Sequence, residues 1–380
     1  MSKLDSENAG TDNARRNFLF KTAGVIGAAA YAAGTSSDAL AAKKAEKAKK
    51  EEKKECPKCK KLKIGVFGLD YSFWQGLWND LLLPTGKFAG TSILNMEMAC
   101  VWDKDMKKAQ DFADKNGCEV VKTYDGMLGK VDGVINGELY NVPWQHLLFK
   151  PYIEAGVPCY LSRPWSSKLR DLDFMLDLAA KHNTALIATN TYEHYNEGEC
   201  FQKEIQKVGK IQAVYGTCSA GDHPHFHLPY LMKRILGFDV DTVALISNDP
   251  KKITYMHDLH VYKERDNQPQ FTLSMNAHVT NNVFSFTIIG DKATISASMA
   301  ESSNNMWRFA PQLLDMQKTF ETKQNYQPLD VLRKKFESCI AEYYSHYEKG
   351  GAPVKVGTVQ PDWQYPLWMP NWYSDSDFKS

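Results

Sequence analysis

The sequence predicts an α/β protein with two parts: a doubly wound parallel sheet first, then an α+β domain with a largely antiparallel open sheet. Two observations lead to this fold class. Between residues 62 and 189, short runs of Val, Ile and Leu alternate with helical segments of about 10 to 15 residues. Beyond residue 211, strand-like runs follow one another directly, with Asn281-Asn282 and Gly290-Asp291 as turn signals between them.

The first domain is predicted over residues 62–189. Its helices are expected at residues 104–116, 144–155 and 169–182, and Gly117 and Gly156 end the first two. Between and around them lie six strand-like runs, namely KIGVFG, EMACVWD, EVVKTY, VDGVIN, PCYLS and TALIAT. Strands that alternate with helices in this way form a parallel sheet with helices on both faces.

The second domain is predicted over residues 190–355. A helix at 199–208 leads into the strand IQAVYGTCSAG, and a long helix at 329–349 closes the domain. Between them are four runs with strand character, KITYMHDLHVYKE, QPQFTLSMNAHV, NVFSFTIIG and KATISAS. Residues 356–380 are aromatic and broken by Pro, so we expect an extended arm that packs over the body or over a neighbouring subunit.

The N-terminus carries an export pattern over residues 1–41. Arg15-Arg16 stands before a short run rich in Ala and Gly, and Ala39-Leu40-Ala41 fits a cleavage site. This predicts a twin-arginine (Tat) signal, with the Tat export machinery as a partner and a periplasmic or otherwise extracytoplasmic destination. The alternative is a short membrane helix, but the apolar run is too short to span a bilayer. Residues 42–61 form a charged Lys/Glu linker.

The composition limits which kinds of partner are expected. The formal net charge is +1, so nothing implies nucleic acid or another polyanion as a partner. Of eight cysteines, most fall in apolar runs and are expected to be buried. Cys56 and Cys59 form the only Cys-x-x-Cys pair, which leaves a local disulfide, a redox pair and half a metal site open.

The first strand ends in a degenerate dinucleotide fingerprint. In GLDYSFWQG, Gly68 fits the first glycine of G-x-G-x-x-G, but Asp70 stands at the second, where it adds bulk and negative charge beside a pyrophosphate. Asp103 ends the second strand, where it either accepts hydrogen bonds from a ribose hydroxyl or caps the next helix. The candidate cofactor loop comprises Gly68, Leu69, Asp70, Tyr71 and Ser72.

Taken together, these motifs resemble the Gfo/Idh/MocA oxidoreductases. The resemblance covers roughly residues 62–355 and rests on the order of GVFGLDYS, CVWDKDMKKAQDFADKNG, YNVPWQH, EAGVPCYLSRPWS and GDHPHFHLPYLMKRILG. It implies a Rossmann domain that binds NAD or NADP, a small carbohydrate substrate, hydride transfer, and a dimer or tetramer. Asp103 favours NAD, because an acid repels a 2′-phosphate. An exported enzyme would have to carry its nucleotide tightly bound.

The resemblance also assigns site residues. Arg163-Pro164 aligns with the family's Lys-Pro, and arginine cannot serve as a base because it stays protonated. His227 aligns with the active-site histidine, supported by His223 or Asp222. The three alternating histidines of HPHFH could instead bind a metal. Further positions are His146, near the cofactor or structural, Tyr192, which lines the substrate pocket or packs in the protein, and His194 and Tyr195, which line the substrate pocket.

The sequence therefore indicates an exported NAD(P)-dependent oxidoreductase that acts on a carbohydrate or polyol hydroxyl. Three alternatives stay open. The first is a binding member of the same fold that has lost turnover, which Asp70 and Arg163 favour. The second is a redox-neutral glycoside lyase or hydrolase that uses the cofactor transiently. The third is a metal-dependent hydrolase built on HPHFH.

Overall fold

The computed structural model describes residues 61–69, 82, 94–137, 142–194, 196–219, 224–247, 256–278, 283–300, 310–366 and 373–378. Several predicted features lie outside these ranges. They are the export signal, all but the last residue of the linker, Cys56, Cys59, Asp70, Tyr71, Ser72, Tyr195, Asp222 and His223. Within the described ranges, no helix has the length and apolar character to cross a membrane.

Six parallel strands form the first sheet. They are β1 (Leu62–Phe67), β2 (Met96–Trp102), β3 (Glu119–Val120), β4 (Gly133–Asn136), β5 (Cys159–Tyr160) and β6 (Leu186–Ile187). Their spatial order is β3-β2-β1-β4-β5-β6. The order reverses between β1 and β4, and in such sheets ligands bind in the crevice beyond the carboxyl ends of the strands at that reversal. The predicted doubly wound parallel sheet is confirmed.

Three described helices connect these strands, α1 (Met106–Asn116), α2 (Gln145–Glu154) and α3 (Leu169–His182). The predicted start of α1 at residue 104 is two residues early. Asp105 is its N-cap, because its carboxylate accepts from the backbone N–H groups of Lys107 and Lys108. The alternative in which Asp103 caps this helix is therefore wrong. At the other end, Gly117 adopts a left-handed φ of 73° and ends the helix as predicted.

The second sheet has seven strands in the order β12-β11-β7-β10-β9-β8-β13. They are β7 (Ile211–Ser219), β8 (Val240–Ser247), β9 (Met256–Tyr262), β10 (Phe271–His278), β11 (Val283–Gly290), β12 (Thr294–Ala300) and β13 (Val354–Lys355). Only β7 and β10 pair in parallel, so the prediction of a largely antiparallel sheet is confirmed. Strands β8 and β13 were not predicted from the sequence.

Four described helices accompany the second sheet, α4 (Asn196–Glu204), α5 (Pro224–Leu236), α6 (Ala310–Thr322) and α7 (Leu329–Lys349). Helix α6, which the sequence analysis also missed, returns to the first sheet. Its Leu313, Met316 and Phe320 share one core cluster with Ile64 and Val66 of β1. A chain segment that follows the second sheet thus completes the core of the first.

The C-terminal segment packs on its own chain. Tyr365 stacks on Tyr343 of α7, with ring centroids 4.4 Å apart and the planes 8° from parallel. Asp362 pairs with Arg170 of α3 at 2.7 Å. Farther along, Tyr373 is buried at 4% exposure beside Trp102 at the end of β2. The arm therefore reaches the carboxyl edge of the first sheet.

Candidate active site

The loop after β1 begins with a glycine that its conformation requires. Gly68 has a φ of 72°, and its N–H donates to the carbonyl of Trp102 at 2.7 Å. Gly137, after β4, lies so close that an added Cβ would sit 2.7 Å from the Gly68 carbonyl oxygen. Two glycines thus let the loops after β1 and β4 meet at the point where the strand order reverses.

Asp103 lies beside this loop at the end of β2 and is 3% exposed. Its Oδ2 accepts from the Leu69 N–H at 2.8 Å, and its Oδ1 accepts from the Asp105 N–H at 2.8 Å. Burial raises the pKa of Asp103, while these two N–H groups act in the opposite direction. A carboxylate has about four acceptor positions, so Asp103 retains capacity for a further donor.

The turn after β5 carries the predicted Arg163 and Pro164, whose connecting peptide is cis. Gln145, at the start of α2, holds this turn from both sides. Its Nε2 donates to the carbonyls of Ser162 and Trp165, and its Oε1 accepts from the Ser162 N–H at 2.9 Å. The Arg163 side chain is 8% exposed beyond the carboxyl end of β5, which lies between β4 and β6. Gln145 is a positioning residue that the sequence analysis missed.

The same turn contacts helix α5. Trp165 is fully buried, and its ring lies 5.2 Å from the ring of Tyr230. His227 stands one turn before Tyr230 in α5, and its side chain lies outside the described part of the chain. Residues three apart share a helix face, so the backbone brings the Arg163 turn and the His227 position to the same region. The fold is compatible with the joint role that the resemblance implies.

A buried ion pair between Lys335 and Glu193 lies next to the turn after β5. The Lys335 Nζ of α7 lies 2.6 Å from Glu193 Oε2, and both side chains are 0% exposed. Burial lowers the pKa of Lys335, and Glu193 acts to raise it. Glu193 also accepts from the Asn190 N–H at 2.9 Å, and Lys335 lies over the Trp165 ring at 5.1 Å. The pair therefore ties α7 to the chain after β6 and to the turn after β5.

His194, predicted to contact substrate, is held on both sides of its ring. Its Nδ1 lies 2.7 Å from Asp315 Oδ2 and its Nε2 lies 2.7 Å from Thr189 Oγ1. Burial lowers its pKa, while Asp315 acts to raise it. A hydroxyl, an imidazole and a carboxylate that are hydrogen-bonded in this order form a nucleophilic triad in hydrolases. Thr189 is only 1% exposed, and the His194 ring is held on both sides, so the geometry favours a structural role for His194.

Of the predicted site residues His146 and Tyr192, only His146 has a described side chain. The imidazole of His146 packs between α2 and α3, with Nδ1 3.9 Å from Asp171 and its ring edge-on to Phe174. Burial lowers its pKa, and Asp171 opposes that shift. This placement favours the structural alternative for His146. The backbone of Tyr192 lies in a 3₁₀ turn at Thr191–His194, and its side chain is outside the described part.

Among the described residues, one group could hold a metal ion, namely Asp258, His260 and Glu342. His260 Nε2 lies 2.9 Å from Asp258 and 3.0 Å from Glu342, and Lys233 Nζ lies 3.4 Å from Glu342. Burial alone would lower the pKa of His260, but the two carboxylates raise it to about 9. With His260 protonated, two cations balance two anions. We refer to these four residues as the ionic cluster.

Both buried charge groups leave a signal in the sequence. In α7, the buried apolar positions include Leu332, Phe336, Cys339 and Tyr343, which define one helix face. Lys335 and Glu342 fall on that same face, seven residues apart. A charged residue at apolar-face spacing is expected to be paired inside the protein. That rule identifies the positions, but not the partners, which come from distant parts of the chain.

Solved structures with the same fold are dehydrogenases. The chain is similar to myo-inositol dehydrogenase from Lactobacillus casei in complex with NAD(H) and myo-inositol, with 9% identity over 79% of this chain and 98% of that chain and a TM-score of 0.64. It is also similar to scyllo-inositol dehydrogenase from the same organism with bound NAD(H) and scyllo-inositol, with 16% identity over 79% and 100% of the chains and a TM-score of 0.60.

A third similar structure is a probable dehydrogenase from Thermotoga maritima, with 14% identity over 78% of this chain and 99% of that chain and a TM-score of 0.61. No protein-family model and no curated protein matches the sequence. At these identities the similarity shows the fold, which is that of a Rossmann domain joined to an α/β domain with an open sheet.

The described residues fit the adenosine half of a dinucleotide. The reversal in strand order, the left-handed Gly68 and the acid at the end of β2 are the features that such a site needs. Asp103 is oriented by two backbone N–H groups and retains acceptor capacity for ribose hydroxyls.

Proposed function

We propose that the protein is an NAD-dependent oxidoreductase that acts on a hydroxyl group of a polyol or other small carbohydrate. The observation that carries the proposal is the oriented Asp103 carboxylate beside Gly68, at the reversal of a sheet ordered β3-β2-β1-β4-β5-β6. The solved structures of similar fold, two of them with NAD(H) and an inositol bound, support both the cofactor and the substrate class.

Different residues of the chain would bind the cofactor and act on the substrate. Asp103 would accept hydrogen bonds from the adenosine ribose, and the loop at Gly68 would pass close to the pyrophosphate. The bound nicotinamide supplies a hydride acceptor. His227 would take the proton from the substrate hydroxyl, a step for which imidazole is suited near neutral pH. Arg163, which stays protonated, would orient that hydroxyl and stabilise negative charge on its oxygen.

Export through the Tat pathway is part of the proposal. Arg15-Arg16, the short Ala-rich run and the Ala39–Ala41 pattern support it. An exported protein that uses NAD would fold around the nucleotide in the cytoplasm, so we propose tight retention of the cofactor. A fusion of residues 1–41 to a reporter tests this, because replacement of both arginines by lysine should abolish export while a Sec signal control is unaffected.

The first experiment is mass spectrometry of the small molecules released when the purified full-length protein is denatured. We expect stoichiometric NAD(H). Neither NAD(H) nor NADP(H), together with no thermal shift on adding either, would contradict the proposal and favour a binding protein without turnover. If nucleotide is found, incubation with inositols and other polyols follows. Net NADH production would indicate a dehydrogenase, whereas product without NADH would indicate the redox-neutral lyase or hydrolase.

A further inference from the structure

The C-terminal segment 373–378 lies against the residues that follow β2. Asp377 Oδ2 is 2.8 Å from the Nζ of Lys104, the residue directly after Asp103. The same ammonium lies 5.2 Å from the centre of the Tyr373 ring, and Tyr373 in turn packs on Trp102. Residues 273 positions apart in the sequence are thus joined at the end of the strand that precedes the ribose-binding acid.

The segment also spans the neighbouring loops. The Phe378 ring stacks on Trp144, just before α2, at 5.6 Å and 21°. It also meets the edge of Tyr124, beyond β3, at 5.5 Å. The adenosine half of a dinucleotide lies along this side of the sheet, beyond β1, β2 and β3. Segment 373–378 therefore forms a wall beside the position that the adenosine ribose would occupy.

The wall holds Asp377 in one place. Its Oδ2 accepts from the backbone N–H of Ser374 at 2.7 Å as well as from Lys104. Burial acts to raise the pKa of Asp377, but the hydrogen bonds from Lys104 and Ser374 outweigh it, so the pKa is lowered and the carboxylate stays charged.

Because Lys104 directly follows Asp103, its ion pair with Asp377 bears on the choice between NAD and NADP. A cation next to the ribose-binding acid is the group that binds the 2′-phosphate of NADP. Here Lys104, directly after Asp103 in the chain, is neutralised by Asp377 at 2.8 Å. The Nζ of Lys108 lies 3.6 Å from Asp103 itself. We propose that Asp377 selects NAD over NADP by holding Lys104 and by repelling the 2′-phosphate. This inference rests on the proposed dinucleotide site and adds a specificity residue from the far end of the chain.

The test compares dissociation constants for NAD and NADP in the full-length protein stripped of nucleotide. In Asp377→Asn, the side-chain oxygen can still accept from Ser374, so the segment is expected to keep its place. We expect the preference for NAD over NADP to fall at least about tenfold, because a repelling charge is lost and Lys104 is released. The matched control is Asp362→Asn, which breaks an ion pair of the same arm with Arg170 and should leave the preference unchanged.

A double variant isolates the role of the cation. Adding Lys104→Met to Asp377→Asn should remove most of the gain in NADP affinity, because the group that would bind the 2′-phosphate is gone. An unchanged ratio in Asp377→Asn would overturn this inference and leave the oxidoreductase proposal intact. A wild type that prefers NADP would overturn this inference and the choice of NAD as cofactor, but not the class of reaction. A wild type that binds neither nucleotide would overturn both.

Discussion

Two regions of the molecule bury charge in different ways. At the carboxyl edge of the first sheet, Asp103 accepts from two backbone N–H groups, lies 3.6 Å from the Nζ of Lys108 and keeps acceptor positions for a further donor. In the ionic cluster between α5, α7 and β9, Lys233 and His260 face Asp258 and Glu342, so that opposite charges balance within the protein. The first arrangement has capacity for a ligand, whereas the second balances its charges within the protein.

This difference separates function from stability. A buried acid with spare acceptor capacity at a strand end is expected to bind something from outside. A balanced cluster stabilises the fold only while every member is present, because removing one leaves a buried charge unpaired. Substitutions at the sheet edge should therefore change nucleotide affinity, whereas substitutions in the ionic cluster should change the free energy of unfolding.

The largest effect is expected on turnover. His227→Ala removes the proposed base, so kcat should fall by about 10²–10⁴-fold while affinity for NAD is retained. His225→Ala is the control, since residues two apart lie on different helix faces. Steady-state kinetics on a polyol that the wild type oxidises gives both values. Unchanged turnover in His227→Ala would remove this residue from the mechanism.

The ionic cluster should respond in stability and not in nucleotide affinity. Glu342→Gln leaves Lys233 and His260 with one anion between them, and we expect the free energy of unfolding to fall by about 3 kcal/mol. Asp330→Asn, in the same helix but at an exposed ion pair with Lys334, should cost less than about 1 kcal/mol. Urea unfolding measures both. If both variants lost the same small free energy of unfolding, the charges of the ionic cluster would not depend on one another.

The sequence predicted the regular elements well where periodicity and end signals agree. Helices α3 and α7 have the predicted bounds, and each ends at a left-handed residue, Asn183 and Gly350. Strand β8 was missed because VDTVALIS is a short, mostly apolar run, which periodicity cannot assign to strand or helix. Helix α6 was missed as well, although its apolar face completes the core of the first sheet.

The site was predictable only in part. Asp103 follows from its place after a buried strand, but its bond to Leu69 depends on the pairing of β1 with β2. The ion pair of Lys335 with Glu193 joins residues 142 positions apart. Such partners are set by tertiary packing, which one-dimensional patterns do not contain. The roles predicted for Asp70, Asp222, His223 and Tyr195 stay predictions, since they lie outside the described residues.

A smaller effect is expected from pH acting on the cluster. The pKa of His260 is raised to about 9 in the folded protein, against about 6.5 when unfolded. The proton is therefore held more tightly in the folded state. This stabilisation is complete below about pH 6.5 and is lost as pH rises to about 9, by an amount on the order of 2–3 kcal/mol. His260→Gln should make the free energy of unfolding nearly independent of pH over this range. If the free energy still falls as in the wild type, groups other than His260 cause the loss.

The smallest effect is expected for a substitution of Asp103, at the carboxyl edge of the first sheet. Asp103→Asn keeps one acceptor oxygen for a backbone N–H but loses the charge and an acceptor toward ribose, so the dissociation constant of NAD should rise about tenfold. The free energy of unfolding should fall by about 2 kcal/mol, because one hydrogen bond to a charged carboxylate is lost. The control is Asp105→Asn, since Asn is an equally good N-cap and keeps the helix start. Isothermal titration of the stripped protein, paired with urea unfolding, separates the two readouts. A large loss of stability with unchanged NAD affinity would place Asp103 with the ionic cluster, as a group that serves the fold alone.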